Sequence, residues 1–64
     1  MTHNQLAAAR RVMNQFPELR IVKAGEILTP TKEGVSGTSV EVTDAMATFE
    51  LEKQLRASCH ALNG

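Results

Sequence analysis

The stretch Asp44-Ala45-Met46-Ala47-Thr48-Phe49-Glu50-Leu51-Glu52-Lys53-Gln54-Leu55-Arg56-Ala57-Ser58-Cys59-His60-Ala61-Leu62 decides the fold, because its first half admits two readings. As one helix from about 44 to 62, capped by Thr43 or Asp44 and stopped by Asn63-Gly64, it sets Ala47, Leu51, Leu55, Cys59 and Leu62 on a single stripe. Glu52 and Arg56 then form a favourable i,i+4 pair. At about 100° per residue, Met46 and Phe49 point away from Leu51 and Leu55. As a strand over 47–51, paired with Val40 and Val42 across a turn at Asp44-Ala45-Met46, the same residues put Phe49 and Leu51 on one sheet face and leave only 52–62 helical. Alanine and methionine ahead of Phe49 suit helix better than strand, so the long helix is expected.

Upstream of it, Ser39-Val40-Glu41-Val42-Thr43 alternates polar and apolar residues, the pattern of a half-buried strand. The stretch 29–39 carries Pro30, Gly34, Gly37 and five hydroxyl residues with Val35 as its one apolar anchor, and reads as a flexible surface loop. Residues 19–22 read as a short strand centred on Ile21 and Val22. A turn at Ala24-Gly25-Glu26 leads to Ile27 and Leu28, which makes a hairpin.

The N-terminal segment 2–16 reads as a helix. Thr2 with Gln5 three residues on matches a capping box, in which hydroxyl and amide satisfy reciprocal backbone N–H groups. Leu6, Ala9, Met13 and Phe16, with Val12 beside them, give an apolar face, and Pro17 disfavours helical geometry at Phe16. The order is helix, two or three short antiparallel strands, helix, without repeat, low-complexity tract or linker. That is a small single α+β domain over 1–64.

With 64 residues, the chain lies near the lower limit at which a domain folds alone, and one βαβ unit would fill roughly half of it. A lone Cys59 excludes an internal disulfide, and the longest uninterrupted apolar run in the first helix, Leu6 to Ala9, is far short of the roughly 20 residues that cross a bilayer. Arg10 and Arg11 fall where a secretory signal would be apolar. A cytoplasmic protein without membrane association is expected. Net charge is zero but uneven. The first half holds Arg10, Arg11, Arg20, Lys23 and Lys32 against Glu18 and Glu26; the second holds Lys53 and Arg56 against Glu33, Glu41, Asp44, Glu50 and Glu52.

Chemistry-bearing patterns are sparse. His3, Cys59 and His60 are too few for a structural zinc site, and adjacent Cys59 and His60 sit roughly 100° apart on a helix. A Cys–His nucleophile pair needs spatial contact and a third orienting group. Gly34-Val35-Ser36-Gly37-Thr38 lacks the lysine and spacing of a phosphate-cradling loop. No metal, cofactor or catalytic residue is expected, and the chain does not read as an enzyme.

The αβββα order is similar to that of the double-stranded RNA-binding domain, in element order only. That family grips phosphates with lysines at the start of its second helix, where this chain has Thr43-Asp44-Ala45-Met46-Ala47-Thr48. Its Gly-Pro-x-His loop pattern is also missing. With Phe16 and Phe49 as the only aromatics, stacking platforms for single strands are scarce.

Eighteen residues are Val, Ile, Leu, Met or Phe and eight are Ala, in a chain that buries only about 60% of its unfolded surface. The surplus apolar area favours association, and Met46 with Phe49 on a second helix side is the candidate contact. The expected function is a small protein–protein interaction module. It would be a homodimeric inhibitor or adaptor that occludes a larger protein partner through Met46, Phe49, Arg10 and Arg11. A dimeric DNA-binding regulator using Arg10, Arg11, Arg20 and Lys23 is the alternative.

Overall fold

The capping box at Thr2 forms as its residues dictate. The backbone N–H of Gln5 donates to Thr2 Oγ1 at 3.2 Å, and the N–H of Thr2 donates to Gln5 Oε1 at 3.0 Å. These bonds open helix α1, His3–Gln15, in the computed structural model, which describes residues 1–63. Gly64, expected with Asn63 as a helix stop, lies outside the described residues. α1 ends where Pro17 requires, with the Phe16 N–H donating to Met13 O. Its buried face is Gln5, Ala8, Ala9 and Val12, continued by Phe16; Leu6 is 37% exposed and Met13 half-buried. The expected apolar stripe is thus rotated toward the small residues, whose short side chains let a second helix approach closely.

Strands β1 (Arg20–Ala24) and β2 (Ile27–Lys32) pair antiparallel, from Arg20 opposite Thr31 to Ala24 opposite Ile27. The two-residue loop has Gly25 at φ +61° with Glu26 at ordinary φ, the form in which glycine leads and the strands keep their twist. Where a loop is expected over 29–39, the chain continues to pair. β2 runs through Thr29–Lys32, turns at Glu33-Gly34, and returns as β3, Val35–Ser36. Glu33 (φ +52°) and Gly34 (φ +83°) both take left-handed geometry, as this tight hairpin requires. β4, Val40–Glu41, lies on the same side of β2 as β3. Between the registers Thr31–Ser36 and Leu28–Val40 the returning chain has one residue more than β2, so β3 and β4 are one strand broken by a bulge. The break falls at Pro30. Its carbonyl accepts from the Gly37 N–H at 2.8 Å, but proline has no N–H to return to Gly37. The result is a three-stranded antiparallel meander whose third strand is interrupted.

Helix α2 is Thr48–Asn63. It is the long helix of the first reading, shortened at its start: Asp44, Ala45 and Met46 form a turn, with the Met46 N–H donating to Thr43 O. The shortening has a tertiary cause. Gln5 Nε2 donates to the carbonyls of Thr43 and Met46, both at 2.8 Å, which occupies acceptors that an earlier helix start would use internally.

α1 and α2 run side by side in the same direction: Gln5 meets Met46, Arg11 meets Glu52, Gln15 meets Arg56, and Phe16 meets His60. α2 also packs on the inner face of β2 and β4. Ala8, Ala9, Val12 and Phe16 from α1, Leu51, Leu55 and Cys59 from α2, and Leu19, Leu28, Val40 and Val42 enclose the core. The expected α2 stripe holds at Leu51, Leu55 and Cys59, with Leu62 half-buried. Ala47 is exposed and precedes the helix. The chain is a small α+β domain with αβββα order, as expected, and one sheet face is left without a helix over it.

Candidate functional site

Phe49 stands in the first turn of α2 with 73% of its surface exposed, the most exposed of the large apolar side chains. A phenyl ring left in water forgoes roughly 1.5–3 kcal/mol of burial free energy, so its placement is a feature to explain. Helical spacing produces it. Leu51 and Leu55 must face the core, which leaves position 49 on the opposite side of the helix. Met46, predicted to share this surface, instead sits half-buried against the core beneath the turn that Gln5 holds. The two residues therefore do not form one exposed patch; Phe49 stands out alone.

One turn along α2 from Phe49, Glu52 gathers two cations. Arg11 Nη2 lies 3.0 Å from Glu52 Oε2, and Arg56 Nη2 lies 3.7 Å from Glu52 Oε1. Arg56 Nε also donates to Gln15 Oε1 at 3.0 Å, tying the helices together along their exposed seam. Arg11 remains 57% exposed while paired. Arg10 is exposed and makes no ion pair among the described residues. Phe49 is thus an isolated aromatic beside a charged rim of Arg11, Glu52 and Arg56.

The other basic candidates lie elsewhere. Arg20 and Lys23 belong to β1, three positions apart and hence on opposite faces of the strand. Arg10, Arg11, Arg20 and Lys23 therefore do not share one face.

Cys59 is fully buried and free, and desolvation pushes its thiol pKa up, away from the reactive thiolate. His60 points outward and meets Phe16 edge-on, with ring centroids 5.4 Å apart and planes at 82°. Among the described residues no three His, Cys, Asp or Glu side chains come together as a metal site would need. Two shallow depressions are present. One, of about 220 Å³, is lined by Gln15, Phe16, Pro17, Glu18 and Asn63. The other, of about 330 Å³, lies between α2 and the broken strand and is lined by Val40, Ala57, Ser58 and Ala61 with neutral polar neighbours. Neither brings two titratable side chains together. No helix among the described residues is long and apolar enough to cross a membrane.

Two features escape sequence reasoning. One is the second role of Gln5, whose partners lie 38 and 41 residues away. The other is the free edge of β1, visible only once β2 is known to hold strands on its other side. No protein-family model matches the chain, and neither a curated protein nor a solved structure is significantly similar to it.

Proposed function

We propose that the chain is a small protein–protein interaction module, working as a homodimer in the cytoplasm, which occludes or adapts a larger protein by seating Phe49 in an apolar pocket. The exposure of Phe49 carries this reading. An exposed aromatic ring with an ion-pair cluster one turn along its helix has the makings of an interface centre, where a few large residues supply most of the affinity and polar neighbours exclude water. In the ion-pair cluster beside it, Arg11 and Arg56 outnumber Glu52, which suits a pocket with an acidic margin. A cytoplasmic setting accords with a single cysteine held buried as a free thiol.

Capture from nuclease-treated cytosolic extract, comparing the native chain with Phe49→Ala, tests the reading. A protein retained by the native chain and lost with the variant supports it. Equal retention by both, or capture that disappears on nuclease treatment, overturns it.

A further inference from the structure

β1 is the outermost strand of the sheet, and nothing pairs with its far side among the described residues. The two-residue hairpin fixes which of its backbone groups are free. Ala24 and Ile27 close the loop as a hydrogen-bonded pair, so Val22 and Arg20 also direct their N–H and C=O groups at β2. The N–H and C=O groups of Ile21 and Lys23 therefore point outward. The edge carries neither a proline nor a bulge, unlike the opposite side of the sheet, which Pro30 interrupts. Val22 is 54% exposed and Ile27 41% exposed, diagonal to each other on the sheet face that no helix covers.

We infer that β1 is the homodimer interface, pairing antiparallel with β1 of a second copy about a two-fold axis at Val22. The inference rests on the association proposed above and names its surface. With Val22 opposite Val22, Ile21 of each copy faces Lys23 of the other, and the four outward groups of each strand all find partners. Val22 and Ile27 of both copies join into one apolar strip across the axis. The same register sets Arg20 opposite Ala24 of the second copy, diagonal to the turn that carries Glu26. Both cation–carboxylate approaches form at once, because the axis repeats them. This self-complementary charge match about the axis favours a second molecule of this chain as the occupant. Phe49 lies on α2, outside the paired strands, and stays available to the larger partner.

Sedimentation equilibrium on the native chain at micromolar to submillimolar loading, repeated with Val22→Lys and Lys23→Pro, tests this. The native chain should approach twice its monomer mass. Val22→Lys sets two ammonium groups against each other at the axis, and Lys23→Pro deletes an outward N–H without touching the β1–β2 ladder. Each should weaken the dimer about tenfold or more. Val22→Lys should recover partly in high salt. Circular dichroism melts identify a variant that has merely unfolded, and Val22→Lys, at an exposed side chain, keeps the test open if the proline variant does not fold. A native chain that stays monomeric overturns the inference, while capture of a larger partner through Phe49 would still stand. A dimer that survives both folded variants overturns the β1 interface and leaves the homodimer itself intact.

Discussion

Gln5 and Met46, 41 residues apart in sequence, are joined by a 2.8 Å hydrogen bond from the Gln5 side-chain amide to the Met46 carbonyl. The same amide nitrogen donates to Thr43 O, while Gln5 Oε1 accepts from the Thr2 N–H. One buried side chain, 1% exposed, thus starts one helix and delays the other. Gln5→Leu keeps a similar bulk but abandons three polar backbone groups. Loss of roughly 2–4 kcal/mol of stability is expected, read from urea unfolding of the variant beside the native chain.

Glu33 holds φ +52° in a turn whose two central residues must both be left-handed. Asparagine tolerates that region better than glutamate, and Asn-Gly is the preferred pair for this hairpin. Glu33→Asn should raise stability by up to about 1 kcal/mol and shift the thermal midpoint upward.

α2 starts without a side-chain cap. The Leu51 N–H donates to Ala47 O at 3.0 Å, which makes Ala47 the N-cap and Glu50 the third helical residue. Alanine supplies no acceptor for the free N–H groups of the first turn. Ala47→Ser would complete a second capping box with Glu50, adding about 1 kcal/mol in a denaturant titration.

Burial raises the Cys59 thiol pKa above its ordinary value of 9.0, so the folded chain binds the thiol proton more tightly than the unfolded chain. That contribution is fully present below pH 9.0 and is lost as pH rises through the folded-state value. Stability should decline on the alkaline side, and Cys59→Ala should flatten the decline while costing some packing throughout. Labelling by a thiol reagent should track opening of the fold.

The parts legible in the sequence were those governed by near neighbours. Thr2 with Gln5 gave the α1 start, Pro17 its end, Gly25 the first hairpin, and Leu51, Leu55 and Cys59 the inner face of α2. Readings that depended on distant residues went astray. Gln5 and Ala8 are buried in place of Leu6 because helix α2 needs close approach, which no local pattern encodes. Pro30 reads as a strand breaker, yet it sits within β2 because its missing N–H falls where the third strand is interrupted. For the candidate site, the exposure of Phe49 follows from helical spacing alone. The half-burial of Met46 against the core follows from Gln5, on α1.

The interruption opposite Pro30 also bears on how large an assembly can grow. Ser58 Oγ donates to Thr38 O, so α2 takes up a main-chain acceptor in the interruption between β3 and β4. The sheet therefore has one straight templating border and one that is kinked and partly covered. Endless stacking into filaments requires adhesive borders on both sides of every molecule. If β1 pairs with a second copy as inferred above, only the kinked borders are left outward, and growth would end at two chains.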